Sequence, residues 1–200
     1  RLRNKQIQNS QNQIVDVRQF VSDVTALADA LPERSFALNI CNDRYHFLVS
    51  FVAVIVRGKC NLLPANKNIV TQEHLSCHYP SCYIIHDGTH PLSDQLLNFN
   101  CVPLLNGHNF SDQPISIAAD QLSAMVFTSG STGDSKPNPK TWKMLYQAGK
   151  SGAQYYLPTN NNVKHSLVAT VPAQHMYGLE TSVLLPLFAD VCVADVQPLF

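Results

Sequence analysis

The chain has 200 residues, of which 14 are basic and 14 acidic, so that it has no formal net charge with histidine neutral. This balance gives no electrostatic reason to expect binding to nucleic acid or to a charged membrane surface. The longest nearly apolar segment, residues 47–56, is about half as long as a transmembrane helix, and the polar N-terminus has no signal-peptide core. We therefore expect a soluble, cytoplasmic protein with no membrane span and no nucleic-acid partner.

The N-terminal part of the chain alternates between helix and strand patterns. Residues 1–13 are polar and lack apolar periodicity, and we expect them to be disordered. In residues 14–31 the apolar positions recur at spacings of three and four, which predicts a helix ended by the following proline. Residues 35–41 have the apolar character of a buried strand. Asn42 or Asp43 can then cap a second helix.

The next segment continues the alternation. The second helix is predicted to end at Gly58, and residues 60–64 to form another strand. Thr71 is the predicted N-cap of a short helix that ends at His78, and residues 83–86 form the following strand.

The second half of the chain repeats the pattern after a weakly patterned region. In residues 89–122 we expect short strands only around 101–104 and 114–117. Further on, we predict strands at 124–127, 166–171 and 191–194, with helices at 141–157 and 179–189. Strands separated by helices, repeated about five times, predict an α/β fold with a mainly parallel sheet covered by helices on both faces.

One cluster of potential metal ligands needs separate treatment. Six cysteines occur in the chain, and without a secretory signal we expect them to be reduced thiols. Four potential zinc ligands follow one another closely, at a spacing that matches none of the common zinc motifs: His74, Cys77, His78 and Cys82. We interpret the segment as a short helix, a turn and a strand, and predict no metal site. A zinc site is the alternative.

The stretch from residue 124 to residue 142 combines the features of a phosphate-binding loop. The apolar run 124–127 is followed by six consecutive small residues, Thr128 to Gly133. Glycines let the backbone fold closely around an anion, and hydroxyls and outward-facing N–H groups can donate to phosphate oxygens. Lys136 adds a mobile positive charge, and Thr141 is placed to cap the helix that follows. This order of strand, loop, lysine and helix is typical of a nucleotide site.

Two well-known loop motifs do not fit this stretch. A Walker A loop needs a glycine directly before its lysine and a Ser or Thr directly after it, whereas Lys136 lies between Ser135 and Pro137. A nucleophile elbow needs Gly-x-Ser-x-Gly, and Ser129 occupies the position of the first glycine. A surface linker is the remaining alternative, but a linker has no reason to lie between a buried strand, a lysine and a helix start.

A second group of polar and aromatic residues follows the strand predicted at 166–171. His175, Tyr177 and Gly178 lie on a strand-to-helix turn. Histidine titrates near neutral pH and tyrosine offers a flat apolar face with a hydroxyl, so the two could border a pocket for an organic acid. Alone, they also fit a structural role at a helix start. Because both segments begin at the carboxyl end of a predicted strand, we expect them to share one pocket.

These segments carry a resemblance to a known family. Residues 128–136, Thr-Ser-Gly-Ser-Thr-Gly-Asp-Ser-Lys, resemble the phosphate loop of the adenylate-forming (AMP-binding) superfamily, which includes acyl- and aryl-CoA synthetases, peptide-synthetase adenylation domains and luciferases. Residues 172–178 resemble the superfamily's next motif, an aromatic turn that lines the acyl pocket. Residues 43–48, 61–64 and 136–142 are similar to a bacterial branch of acyl or aryl ligases, associated with aryl-polyene-type pathways, some of which are thought to load acyl carrier protein instead of CoA.

The resemblance implies ATP-dependent activation of an aryl or fatty acid to an acyl-adenylate, with release of pyrophosphate and with Mg²⁺ as cofactor. A thiol, on CoA or on a phosphopantetheine-bearing acyl carrier protein, would then take the acyl group. The residues that would bind the β- and γ-phosphates are Thr128, Ser129, Gly130, Ser131, Thr132, Gly133 and Lys136. Those that would border the carboxylate substrate are His175, Tyr177 and Gly178. The loop departs from the commoner Pro-Lys-Gly ending at Ser135-Lys136-Pro137.

The resemblance also implies a domain organisation. Residues 1–200 would be the first part of the large N-terminal AMP-binding domain. The superfamily's adenine and ribose motifs, its acidic residue near Mg²⁺ and its small C-terminal domain with the adenylation lysine normally lie beyond position 200. Because the chain also begins without Met and ends just after an apolar run, we expect a piece of a longer ligase that has no complete catalytic set and is inactive alone.

Two other functions are kept as alternatives. A serine hydrolase would use Ser131 as nucleophile, His175 as base and Glu180 or Asp190 to orient the histidine. In α/β-hydrolases the acidic residue precedes the histidine in the chain, whereas both candidates follow it here. The second alternative is a non-catalytic nucleotide-binding module that keeps the loop but activates no acid.

Overall fold

The computed structural model of the protein describes residues 6–8, 14–105, 115–128, 136–157 and 165–194. Their elements, in chain order, are β1 (Gln6–Gln8), β2 (Ile14–Asp16), α1 (Val17–Ala30), β3 (Phe36–Asn39), α2 (Arg44–Val56), β4 (Cys60–Leu63), α3 (Ile69–His78), β5 (Cys82–His86), β6 (Leu97–Asn100), a 3₁₀ turn (Val102–Leu104), β7 (Leu122–Thr128), β8 (Lys136–Thr141), α4 (Trp142–Tyr156), β9 (His165–Val168), α5 (Met176–Gly178), a π-helical turn (Leu179–Leu184), α6 (Leu185–Phe188) and β10 (Val191–Ala194).

Six strands form the first sheet, in the order β6-β5-β3-β4-β7-β8. All its neighbouring strands are parallel except β8, which runs antiparallel to β7. Parallel neighbours need long crossovers, and α2 and α3 provide them between β3, β4 and β5. Pro137 and Pro139 are tolerated in β8 because it is an edge strand, where a missing N–H breaks no central ladder.

The core of this sheet lies on both of its faces. Residues of β3, β4 and β5 are buried along almost their whole length. One face packs against α1 and α2, with Phe47 and Phe51 fully buried and stacked at 6.2 Å between ring centroids. The other face packs against α3 through Leu75. Burial of strands on both faces produces continuous apolar runs rather than alternation, as the sequence of these strands has.

Two buried asparagines tie α2 to the strands beneath it. The side-chain N–H₂ of Asn39 in β3 donates to the carbonyl of Phe47 at 3.1 Å, and that of Asn61 in β4 donates to the carbonyl of Phe51 at 3.1 Å. Asn61 also donates to the carbonyl of Ser123 at 3.2 Å. Buried amides must find partners, and these bonds fix the position of the helix along the sheet.

The helix α1 packs on α2 and shares a buried polar contact with it. The hydroxyl of Tyr45 donates to the carboxylate of Asp23 at 2.5 Å, and Gln19 donates to the same carboxylate at 2.8 Å. Burial, followed by the contact with Asp23, raises the pKa of Tyr45 far above its ordinary value. The phenol therefore stays a donor to this carboxylate.

Four strands form a second sheet, in the order β2-β1-β10-β9. β10 is parallel to both β1 and β9, while β2 is antiparallel to β1. Residues from the start of the chain therefore pair with residues near position 193. Helix α6 packs against α4, and Phe188 of α6 contacts the rings of Tyr146 and Trp142 in α4.

Most predicted elements are confirmed, and the fold class is that predicted, an α/β fold with a mainly parallel sheet between helices. Asp43 caps α2 and Thr141 caps α4, as predicted. The cap of α3 was predicted at Thr71 and is Asn68, whose side chain accepts the Thr71 N–H at 2.8 Å.

The other differences concern strands. Gln6–Gln8 is a strand rather than disordered, because its backbone pairs with β2 and β10. The strand predicted at 101–104 is a 3₁₀ turn containing Pro103, and the preceding residues 97–100 form β6 instead. Residues 115–117 form no strand, and position 114 lies outside the described residues. Within the described ranges, no helix is long and apolar enough to cross a membrane.

Candidate functional site

Thr128 and Lys136, which flank the predicted phosphate-binding loop, lie side by side at the carboxyl end of β7. Thr128 is the last residue of β7 and Lys136 the first of β8, and they are partners in the antiparallel pairing. Both residues are exposed. The predicted phosphate-binding residues between them lie outside the described part of the chain: Ser129, Gly130, Ser131, Thr132 and Gly133.

The segment predicted to border the acid turns back on itself after β9. The N–H of His175 donates to the carbonyl of Pro172 at 3.2 Å, and the N–H of Leu179 donates to the carbonyl of His175 at 2.7 Å. His175 is half-buried and Tyr177 is 59 % exposed. The structure thus brings His175 and Tyr177 together on one turn, with surface that a ligand can reach.

Gly178 closes this turn because no larger residue fits there. A Cβ atom at position 178 would lie 2.1 Å from the carbonyl oxygen of Pro172 and 3.1 Å from that of Val171. Both obstacles are backbone atoms, which cannot rotate away as a side chain can. The glycine is therefore needed for the close approach of two backbone segments.

A cavity of about 330 Å³ lies along β9 and includes part of this turn. Its lining includes Tyr177, Thr181 and Leu185, which follow β9, and Tyr156 and Leu157 at the end of α4. Its volume is at the lower end of the range of small-molecule sites, roughly 300–1,000 Å³. Tyr177 is the predicted substrate-binding residue that lines it.

The two predicted parts of the site belong to different sheets. Thr128 and Lys136 are on the first sheet, whereas His175 and Tyr177 follow strand β9 of the second sheet. The cavity beside Tyr177 is lined by neither Thr128 nor Lys136. One pocket shared by both segments stays a prediction, as do the roles assigned to their residues.

Asp87 organises the charged groups at the carboxyl edge of the first sheet. Its carboxylate accepts the N–H groups of Asn42 and Asp43, both at 2.8 Å, and the hydroxyl of Thr89 at 2.6 Å, and it lies 3.6 Å from His46. Burial alone would raise the pKa of Asp87, but these donors outweigh it and hold the pKa well below its ordinary value. Burial alone would lower the pKa of His46, but the Asp87 and Asp43 carboxylates raise it.

The residues weighed as zinc ligands do not converge. His74, Cys77 and His78 are exposed on α3, whereas Cys82 is buried in β5. The ring of His78 instead contacts the carbonyl of His74 at 2.9 Å. In the described part of the chain, no group of three or more His, Cys, Asp or Glu side chains could hold a metal ion.

The sequence interpretation missed one residue that bridges the two sheets, Arg44. It is the first residue of α2 and is 8 % exposed, and its guanidinium contacts the segment that leads into the His175 turn. A signal was available, because the positive end of the helix dipole disfavours a cation in the first turn. A lone arginine at the start of an otherwise apolar helix indicates a compensating tertiary contact.

Comparison with solved structures identifies the fold. ATP-bound MatB from Rhodopseudomonas palustris is 16 % identical with a TM-score of 0.75 over 96 % of this chain and 42 % of that chain. O-succinylbenzoate coenzyme A synthetase (MenE) from Bacillus subtilis, in complex with ATP and magnesium ion, is 13 % identical with a TM-score of 0.73 over 96 % and 53 %. The Klebsiella oxytoca NpsA N-terminal subdomain is 15 % identical with a TM-score of 0.71 over 96 % and 51 %.

The chain spans about half the length of these chains or less. No protein-family profile and no curated protein sequence matches it. The similarity therefore concerns the fold, and it extends over 96 % of this chain. The chain has the fold of the N-terminal domain of adenylate-forming enzymes.

Proposed function

We propose that this chain is the first part of the N-terminal domain of an ATP-dependent acid–thiol ligase. One observation carries the proposal. A sequence that resembles the phosphate loop of adenylate-forming enzymes follows the carboxyl end of β7, in a chain with the fold of proteins solved with bound ATP. The carboxyl ends of parallel strands are where α/β proteins bind their ligands.

In the first step, a carboxylate oxygen of the acid attacks the α-phosphorus of ATP. The bond from that phosphorus to the bridging oxygen breaks, and pyrophosphate leaves with the electron pair. The product is an acyl-adenylate. This step concentrates negative charge, so that donors held in place before the reaction would lower its barrier.

The chain's own residues supply such donors at the phosphate side. Thr128 and Lys136 put a hydroxyl and an ammonium side by side at the end of β7, and both are exposed. A hydroxyl donor and a point positive charge suit phosphate oxygens. With Ser129 to Gly133 they would hold the β- and γ-phosphates and the departing pyrophosphate. Magnesium would be bound through the phosphate oxygens of ATP and would offset part of their charge.

The turn after β9 would form the acid side of the site. Tyr177 lines a cavity with mixed polar and apolar walls, and His175 lies two residues before it. A flat aromatic face and an imidazole suit the body and the carboxylate of an aryl or fatty acid. Gly178 would allow the backbone to stay close to that pocket.

In the second step, a thiol sulfur attacks the acyl carbon of the adenylate and AMP leaves. The thiol gives up its proton, and a thioester forms. We propose CoA or the phosphopantetheine arm of an acyl carrier protein as acceptor. The remaining catalytic groups would come from parts of the protein outside these 200 residues.

The test is exchange of labelled pyrophosphate into ATP, measured on the full-length protein with a panel of aryl and fatty acids. Exchange that depends on one class of acid is the expected result, since reversal of acyl-adenylate formation returns labelled pyrophosphate to ATP and requires the acid. ATP binding without exchange for any acid would contradict the proposal and favour a non-catalytic nucleotide-binding module. Labelling of Ser131 by a fluorophosphonate would favour the hydrolase instead.

Lys136→Ala sharpens this test. Loss of a single donor to transition-state charge typically costs roughly 100-fold in rate, and we expect a fall of that order in exchange. Lys143→Ala is the matched control, because Lys143 is also exposed but lies in the first turn of α4. Equal exchange rates in the two variants would show that Lys136 has no role in the reaction.

A further inference from the structure

Arg44 is a buried cation whose location has a double energetic cost. It lies in the first turn of α2, where the helix dipole repels positive charge, and only 8 % of its surface is exposed. A buried charge is costly unless hydrogen bonds compensate it. The hydrogen bonds of its guanidinium therefore indicate the role of this residue.

The guanidinium contacts residues 169–171, which precede the turn that carries His175 and Tyr177. Nη2 donates to the carbonyl of Val171 at 3.2 Å and to that of Ala169 at 3.4 Å. Both carbonyls belong to the segment between the end of β9 and Pro172. One nitrogen of Arg44 thus holds the start of the turn.

The other terminal nitrogen reaches the end of the same turn. Nη1 donates to the hydroxyl of Ser182, and that hydroxyl donates to the carbonyl of Gly178 at 2.6 Å. Ser182 is itself buried. The planar fork of arginine, which a lysine cannot reproduce, therefore connects both ends of the segment that carries His175 and Tyr177.

The backbone of Arg44 is anchored in the first sheet. Asp43 caps the helix by accepting the N–H of His46 at 2.8 Å, and the N–H groups of Asn42 and Asp43 are bound by Asp87. Arg44 is thus fixed where β3 passes into α2. Its side chain extends from there to the second sheet.

We propose that Arg44 is a positioning residue that holds the turn carrying His175 and Tyr177 in place relative to the first sheet. This inference rests on the proposed function, in which that turn borders the acid and the loop after β7 binds the phosphates. The two reactants would then be held by different sheets. Arg44 would set the distance between the acid carboxylate and the α-phosphorus.

Hydrogen–deuterium exchange of the full-length protein tests the contact itself. In Arg44→Lys we expect peptides covering residues 169–182 to exchange about tenfold faster, because charge-assisted bonds to both ends of the turn are lost. Ser182→Ala removes the bonds of Ser182 to Nη1 and to Gly178 but leaves those of Nη2 to Ala169 and Val171, so it should give a smaller acceleration of the same peptides. Arg57→Lys, at the other end of α2 and paired with Glu33, is the matched control and should leave them unchanged. Unchanged exchange in Arg44→Lys, or equal acceleration throughout the chain, would overturn the proposal.

Steady-state kinetics separates positioning from a general loss of stability. A displaced acid pocket raises KM for the acid, and displacement by about 1 Å can cost up to 100-fold. We expect KM for the acid to rise about tenfold in Arg44→Lys, with KM for ATP unchanged. A kcat that falls only in proportion to the measured fraction of folded enzyme, with both KM values unchanged, would indicate a loss of stability alone and would overturn the role.

The two proposals can fail separately. If no acid supports pyrophosphate exchange in the wild-type protein, the proposed function is wrong and the role of Arg44 toward an acid is wrong with it. Faster deuterium exchange at residues 169–182 would in that case still show that Arg44 holds the turn. If the wild-type protein exchanges pyrophosphate with an acid, and Arg44→Lys changes neither deuterium exchange at residues 169–182 nor KM for the acid, only the inference about Arg44 is wrong.

Discussion

The two sheets of this molecule differ in how completely they are buried. In the first sheet, β3, β4 and β5 are buried almost throughout, and α2 packs over them with most of its residues below 2 % exposure. In the second sheet, β9 alternates between half-buried and exposed residues, and Val168 is 59 % exposed. The central strands of the first sheet are therefore stabilised by apolar packing on both faces, whereas the described residues of the second sheet contribute single buried positions such as Val15, Val191 and Val193.

The difference bears on function because the proposed site draws on both regions. A densely packed region holds its loops rigidly, whereas a region with few buried contacts opens more easily. β7, in which Ala124, Val126 and Phe127 are buried, would carry the phosphate side, while the acid side would be held by contacts such as those of Gly178 and Arg44. Four experiments could break or sharpen this comparison.

The largest effect is expected in the apolar core of the first sheet. Phe51 is fully buried in α2, and Phe51→Ala should lower the free energy of unfolding by about 3–5 kcal/mol. Val168→Ala, on the exposed side of β9, should change it by less than about 0.5 kcal/mol. Urea unfolding of both variants measures this difference. Similar losses would contradict the contrast between the sheets.

A smaller effect is expected at the turn of the second region. Gly178→Ala would force a Cβ against the backbone of Pro172, and overpacking of this kind costs about 1–3 kcal/mol. Gly152→Ala in α4 is the control, because its Cβ would meet nothing closer than 3.9 Å. In a helix interior that substitution should add about 0.5–1 kcal/mol of stability. Thermal unfolding compares the two, and a harmless Gly178→Ala would show that the turn can relax.

The contribution of Asp87, at the carboxyl edge of the first sheet, to the free energy of unfolding should depend on pH. The pKa of Asp87 is lowered on folding, so its stabilising contribution is complete above the unfolded value of about 4 and is lost as pH falls through the folded pKa. Asp87→Asn should lower the free energy of unfolding by about 1–2 kcal/mol at pH 7. Urea unfolding from pH 7 down to pH 2 should show this difference shrinking. A constant difference would mean that the charge of Asp87 is not responsible.

The smallest effect concerns His46 in the same network. Its pKa is raised on folding, so its contribution is complete below the unfolded value of about 6.5 and is lost as pH rises through the folded pKa. The wild-type protein should lose a stabilising contribution of less than about 1 kcal/mol above pH 6.5. In His46→Gln this loss should be absent. Identical pH profiles from pH 6 to 9 would contradict the assignment.

The sequence predicted best where a local pattern and the tertiary environment agree. The apolar run before Thr128, the caps at Asp43 and Thr141 and the helix after Thr141 follow from residues close to each other in the chain. The motif that suggested a nucleotide site is likewise a local feature. Its prediction needed no knowledge of which strands pair.

The errors have three physical causes. Strand β1 is polar and is held by pairing with β10, far away in the chain, so no periodicity in Gln6–Gln8 indicates it. Strand β8 contains two prolines, which normally argue against a strand and are tolerated here only at a sheet edge. The cap at Asn68 shows a third, local difficulty: Thr71 and Asn68 are both good cap residues, and in the structure Asn68 has the extended backbone of a cap while Thr71 lies inside α3.

Arg44 could not be assigned a role from the sequence, since its acceptors lie on residues more than a hundred positions away. The groups on Ala169, Val171 and Gly178 that it contacts or reaches through Ser182 are backbone carbonyls, which every residue has. Such contacts leave no signature in residue types. Only the unfavourable placement of a cation at a helix start indicates that one exists.

The pairing of β1 with β10 has a consequence for how the protein is made. During translation at roughly 5–20 residues per second, β10 leaves the ribosome about 10–40 s after β1. The strands β3 to β8 are synthesised during that interval and can assemble around α2 before β1 pairs with β10. Until β10 is made, β1 lacks this neighbour, and unpaired strand edges favour association with other chains.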